Sequence, residues 1–263
     1  MSPSVPRTDQ ASEREATVER LRQWLPQAET RAGTRVLPLR VPALDQHLPR
    51  GLRLGAVHEV TAATLSDMPA AFGFMAALLG RMLNESGGSG LLVASRRSLA
   101  DFGRPYGPGL HALGLDPGRL ILAETVTDVQ ALWAVEEALR LRAVAAIGAW
   151  VDTKLDLQAS RRLHLAAEGS DTLILLLRPP HADEANAAAT RWRIAAAPAG
   201  RDRYGCFAQW RWRVALERCR QGRPGEWILE QDDAAHPFRL AGTVADPALA
   251  SRPETDPALR EPG

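Results

Sequence analysis

A single lysine, Lys154, stands against 32 basic residues in this 263-residue sequence, so nearly every positive charge is an arginine. That scarcity excludes a Walker A phosphate cradle, which needs a lysine inside a glycine-rich loop. Cysteine is nearly absent too. Cys206 and Cys219 form no CxxC pair and no zinc spacing, and read as incidental thiols of a reducing cytosol. Charge has no dominant sign, with 32 basic against 31 acidic residues, which excludes a basic nucleic-acid arm. No apolar run approaches the roughly 18 residues of a membrane span. The first twenty residues are polar and lack the apolar core of a signal peptide, so a cytoplasmic location is expected. GxSxG, HExxH and Cys–His signatures are missing as well. The six histidines are scattered, and Glu136-Glu137 point to different faces of any helix that carries them.

What is present fits an ordinary globular chain, 45% hydrophobic and 24% charged, long enough to bury a core without disulfides or metals. Residues 1–35 read as an N-terminal segment with a short amphipathic helix over Glu13–Leu25, whose stripe of Val18, Leu21 and Leu25 docks on its own domain or, as a candidate contact, on a partner. Residues 36–231 alternate short apolar runs with helical patterns, the texture of an α/β body with a mainly parallel sheet flanked by helices. Strands are expected at Ala56–Val60, Leu91–Ala94, Leu120–Ala123, Val144–Val151 and Thr172–Leu177, the last one central. Helices are expected at Met68–Leu83, Asp128–Arg142 and Leu157–Ala167. Residues 232–263, rich in Pro, Ala and Asp, read as a disordered tail in which Phe238 and Leu240 form a short candidate binding segment.

Thr190–Ala197 and Gln209–Cys219 alternate large apolar residues with charged ones, which predicts antiparallel C-terminal strands, and Glu226–Glu230 adds a third. The alternation sends Trp192, Ile194, Trp210, Trp212 and Val214 to one face and Arg191, Arg193, Arg211 and Arg213 to the other. Guanidinium forks suit phosphates and carboxylates, so this face is a candidate contact for a partner or DNA. The alternative is a solvated face over a tryptophan core, its charges paired with residues such as Glu217.

Val41–Val60, VPALDQHLPRGLRLGAVHEV, carries the pattern L-D-x-x-L-x-x-G-L-x-x-G-x-x-x-E that opens RecA-like cores. Together with ATRWRIAAAP, WRWRVALERCR and LDLQASRRLHLAAEGSDTLILLLRPP, it resembles the ImuA family, RecA-related accessory proteins of bacterial mutagenic translesion synthesis. The resemblance covers residues 36–231. Laid on this chain, it puts the Walker A glycines on Ala62 and Asp67, the lysine on Met68 and the hydroxyl on Pro69. The water-activating glutamate falls on Val129 and the Walker B aspartate on Trp150, with Asp152 the nearest acid. The resemblance therefore implies a RecA-like fold with a degenerate P-loop, no catalysis, no cofactor and no metal. The stretch matching the second DNA-gripping loop, 178–186, has one arginine against two acids, which attracts phosphate weakly.

As partners the resemblance implies an ImuB-like protein, with RecA and an error-prone DNA polymerase III alpha subunit as further candidates. DNA would be touched weakly or through those partners, and membranes not at all. The implied function is a non-catalytic adaptor produced in the SOS response. The alternative is a SulA-like inhibitor of cell division that binds the tubulin-like protein FtsZ, since the loss of the P-loop fits both.

Overall fold

The computed structural model describes residues 35–48, 51–182, 185–201, 204, 206–231 and 238–241. In chain order its elements are β1 (Val36–Leu37), α1 (Pro42–Asp45), β2 (Leu52–Arg53), β3 (Ala56–Ala62), α2 (Met68–Ser86), β4 (Gly90–Ser95), α3 (Arg96–Phe102), α4 (Gly107–Ala112), β5 (Leu120–Thr125) and α5 (Asp128–Leu141). There follow β6 (Ala146–Trp150), α6 (Leu157–Ala167), β7 (Leu173–Arg178), β8 (Thr190–Ala196), β9 (Gly200–Arg201), β10 (Phe207–Gln209), β11 (Arg211–Cys219), β12 (Gly225–Glu230) and β13 (Arg239–Leu240). β1 pairs with β2 and β9 with β10. The other nine strands form one sheet in the order β13-β12-β11-β8-β3-β7-β6-β4-β5. From β8 to β5 neighbouring strands are parallel, and from β8 to β13 they are antiparallel. This is an α/β architecture with the mostly parallel sheet, flanking helices and antiparallel C-terminal strands of a RecA-like core.

β7, LILLLR, is buried along its whole length because it lies between β3 and β6 with helices on both faces, and a strand covered twice has no reason to alternate. One face packs on α2. There Phe74, Met75, Leu78 and Leu79 meet Leu173, Leu175 and Leu177 of β7 together with Trp192, Trp212 and Val214. The other face packs on α5 and α6, where Leu132, Val135 and Leu163 meet Val57, Val93 and Ile174. α2 is apolar on nearly every side because a second layer covers its back: Leu37, Leu39, Leu44 and Leu52 from the segment before β3 join the same cluster. Gly80 lets the turn after α4 pack against α2, since a Cβ there would stand 2.5 Å from the carbonyl oxygen of Gly114. α5 opens on a reciprocal Thr127/Gln130 capping box and stops at Arg142, whose φ of 50° ends the helix one residue before the expected boundary.

Three expectations need correction or placement. β8 is not purely antiparallel: it runs parallel to β3 on one side and antiparallel to β11 on the other, and so joins the two halves of the sheet. The sheet also extends past residue 231. Phe238 is buried with its ring 5.1 Å from that of Phe74 and 5.8 Å from that of Trp212, and β13 pairs with β12. The expected amphipathic helix with Val18, Leu21 and Leu25 lies outside the described residues, as do 232–237 and 242–263. No helix among the described residues is long and apolar enough to cross a membrane.

Candidate functional site

Between the central strand β3 and helix α2 the chain turns through Ala63–Asp67, where a RecA-like fold would hold nucleotide phosphates. Ala62 ends β3, fully buried. Leu65–Asp67 then forms one 3₁₀ turn, and Thr64 and Asp67 cap it reciprocally. The Asp67 carboxylate accepts hydrogen bonds from the Thr64 amide at 3.1 Å and the Thr64 hydroxyl at 2.7 Å through Oδ2. Through Oδ1 it accepts the amide of Ala196 at 2.9 Å, at the end of β8. The Thr64 amide, which the turn could offer to an anion, thus goes to the turn's own side chain. Met68 points into the core at 2% exposure, and Pro69 occupies the first turn of α2, where a missing N–H costs nothing.

Val129 and Trp150 are the two residues expected where the RecA pattern has its acids. Val129 lies exposed on α5, 72% accessible. Trp150 closes β6, buried against Phe72 and Phe102, and donates its indole N–H to Asp152 Oδ1 at 2.9 Å. Asp152 Oδ2 accepts the Ser98 hydroxyl at 2.8 Å, so both carboxylate oxygens have donors inside the protein. Asp128 Oδ2 in turn accepts the amides of Asp152 and Thr153, which fixes the loop after β6. Among the described residues no group of three His, Cys, Asp or Glu side chains is arranged to hold a metal.

Pairing of β8 with β11 does bring the four expected arginines to one sheet face, opposite Trp192, Ile194, Trp212 and Val214. Trp210 lies just before β11 and is half exposed. Each arginine meets a carboxylate. Arg193 pairs with Glu217, Arg211 with Glu230 at 2.7 Å, and Arg213 with Glu226 at 3.7 Å, the last pair open to solvent. Arg191 departs from the expectation of an accessible charge: it is 9% exposed and holds Glu59 Oε2 at 2.8 Å, because β8 lies beside β3 rather than at an edge.

Glu59 was legible only as the last letter of the opening pattern. In the fold it is fully buried in the central strand, bonded to Arg191, to Asn186 Nδ2 at 2.6 Å, and 4.0 Å from Arg178. Arg178 also donates to the carbonyls of Val151 at 3.0 Å and Thr153 at 2.5 Å, so the arginine of the 178–186 stretch braces the sheet instead of facing outward. His58, its neighbour on β3, donates from Nε2 to the Arg53 carbonyl at 2.9 Å. Its Nδ1 accepts the Thr190 hydroxyl at 2.8 Å, and that hydroxyl accepts the Trp192 indole N–H at 2.8 Å. Burial holds the His58 imidazole down, to about 4, so it is neutral. Glu136 is 5% exposed and binds Arg162 at 2.9 Å across the α5–α6 contact.

No family model matches the chain. Two relatives do, both called Protein ImuA, from Caulobacter vibrioides strains NA1000 / CB15N and ATCC 19089 / CIP 103742 / CB 15. Each is 40% identical over 245 residues, a match spanning 86% of this chain and 96% of the relative.

Proposed function

The chain belongs to the ImuA family, and from that premise we propose that it is a non-catalytic RecA-like adaptor of SOS-induced, error-prone translesion DNA synthesis. In this reading it binds an ImuB-like protein and assists an error-prone replicative-type polymerase, with RecA as a further partner. DNA is reached through those partners, and the protein works in the cytoplasm. The observation that carries the non-catalytic half is the Asp67 carboxylate seated on the turn between β3 and α2. A nucleotide phosphate there would meet a fixed negative charge and amides already engaged, with no lysine in the turn to compensate. Val129 and Trp150 offer neither a base nor a magnesium ligand at the other two positions.

The arginine face remains the charged contact surface of this proposal in reduced form. Arg193, Arg211 and Arg213 lie on its outer side, each paired with a glutamate, whereas Arg191 serves the core. Affinity purification of a tagged copy from DNA-damaged cells tests the reading. Recovery of an ImuB-like protein with a replicative-type polymerase, enriched over undamaged cells, is the expected result. Recovery of FtsZ without polymerases would replace the adaptor by a division inhibitor.

A further inference from the structure

α5 and α6 pack side by side on one face of the sheet, and the outer surface between them carries apolar side chains that solvent reaches. On α5, Val129, Trp133, Glu136 and Arg140 recur at the spacing i, i+4, i+7, i+11, which sets them in one row. Glu136 binds Arg162 of α6 at 2.9 Å, so this row flanks α6. Val129 and Trp133 are nevertheless 72% and 61% exposed, and Leu165, one turn beyond Arg162 on α6, is 66% exposed. Towards the ends of both helices the surface deepens into an open groove of about 480 Å³, with Leu139 and Arg142 on one side and Arg162 and Leu165 on the other.

The place where the described chain begins points to what covers this surface. Arg35, the first described residue, pairs with Asp171 at 2.9 Å. Asp171 directly follows the Ala167–Ser170 turn that ends α6. That turn borders the groove, since a Cβ on Gly169 would stand 3.9 Å from Arg142 Nη2. The chain that leads into Arg35 therefore arrives beside the groove. Reach is sufficient as well. Residues 26–34 can extend to about 30 Å, whereas the 11 residues of α6 are about 17 Å long. A helix over Glu13–Leu25, which Pro26 would end, can thus lie anywhere along the α5–α6 surface. So short a tether holds it there at an effective concentration on the order of millimolar.

The chemistry of the two surfaces agrees. Val18, Leu21 and Leu25 offer one apolar stripe for the exposed apolar row. Arg140 and Arg162 already hold Glu136, so the groove asks for apolar cover more than for countercharge. The segment is balanced to match, with Glu13, Glu15 and Glu19 against Arg14, Arg20 and Arg22. We propose that residues 13–25 dock as a helix between α5 and α6 of their own chain, with Val18, Leu21 and Leu25 against Trp133 and Leu165. The inference stands independently of the adaptor reading.

Hydrogen exchange of the full chain, read by mass spectrometry, tests it. Amides of residues 15–25 should exchange at least ~10-fold more slowly than those of an unstructured chain, whatever the protein concentration. Trp133→Glu combined with Leu165→Glu alters side chains that solvent already reaches, and should abolish that protection while β3, β6 and β7 exchange as before. Val18→Glu combined with Leu21→Glu lies outside the described fold and serves if the groove variant fails to fold. It should free the groove, so that a labelled peptide of residues 13–25 binds this variant at least ~10-fold tighter than the unaltered chain in fluorescence anisotropy. Unprotected amides at 15–25 in the unaltered chain would overturn the proposal, as would protection that survives Trp133→Glu with Leu165→Glu. Protection that grows with protein concentration would make a second copy the source of the helix. Equal peptide binding by the unaltered chain and by Val18→Glu with Leu21→Glu would show a groove left open for another protein, and would equally refute docking within the chain.

Discussion

Removing the Asp67 carboxylate should cost the protein measurable stability, and the size of that cost follows from the bonds it makes. Asp67→Ala strips the acceptor from two backbone amides, Thr64 and Ala196, and from the Thr64 hydroxyl. Hydrogen bonds to a charged group contribute about 1.5–3 kcal/mol each. Asp67 is only half buried, so water replaces part of the loss. A net destabilisation of about 2–3 kcal/mol is expected, or roughly 5–10 °C in melting temperature for a chain of this size. Asp67→Asn keeps one acceptor oxygen without the charge and should fall between. Thr64→Val combined with Asp67→Ala should be less than additive by about 1 kcal/mol, because the two side chains share one bond. Urea unfolding followed by far-ultraviolet circular dichroism gives the free energy of the unaltered chain, of each single variant including Thr64→Val, and of the double variant. If Asp67→Ala lies within ~0.5 kcal/mol of the unaltered protein, the carboxylate is not fastening β3, α2 and β8 together and the account of the turn fails.

Three further outcomes follow from buried groups. His58 has its imidazole held at about 4 by burial, so the unfolded chain takes up that proton first. Its contribution is fully present above pH 6.5 and is lost as pH falls from 6.5 to 4, by about 3 kcal/mol in total. Unfolding free energies measured across that window should flatten in His58→Asn relative to the unaltered chain. Arg191→Gln should destabilise by about 3 kcal/mol because it leaves Glu59 short of its closest cation, while Arg213→Gln, in a solvent-exposed pair, should change stability by less than ~0.5 kcal/mol. Equal costs would mean that the two arginines share one environment. Gly73→Ala should be neutral or stabilising by up to ~1 kcal/mol, since space is open and alanine favours a helix, whereas Gly80→Ala should lower the melting temperature because its methyl meets the Gly114 carbonyl.

Periodicity carried most of the fold to the surface of the sequence. Leu157–Ala167 is helical over the expected span, and the expected strands at 56–60, 91–94 and 120–123 all exist, each longer by one or more residues. Period two told which side of β8 and β11 is apolar, because that pattern records one covered face. It does not record the direction of a neighbouring strand, and so β8 read as antiparallel although β3 lies parallel beside it. α3 and α4, seven and six residues long, are too short to develop a helical stripe. Phe238 was hidden by its surroundings: one aromatic among Pro, Ala and Asp reads as tail, and only the packed Phe74 and Trp212 show where it goes.

At the candidate site the substitutions were visible and their consequences were not. Asp67 reads from sequence as a charge that would repel phosphate. That it also closes the turn depends on the Ala196 amide, 129 residues away. Glu59 and Arg191 are 132 residues apart, and their pairing required the register of β3 against β8.

Titration of magnesium-ATP into the purified full chain, followed by calorimetry, bears most directly on the claim that this RecA-like turn is closed by its own carboxylate. No saturable heat should appear up to millimolar nucleotide, and the melting temperature should not rise. Saturable binding with a micromolar Kd would contradict the account and return the chain to the nucleotide-using members of its fold.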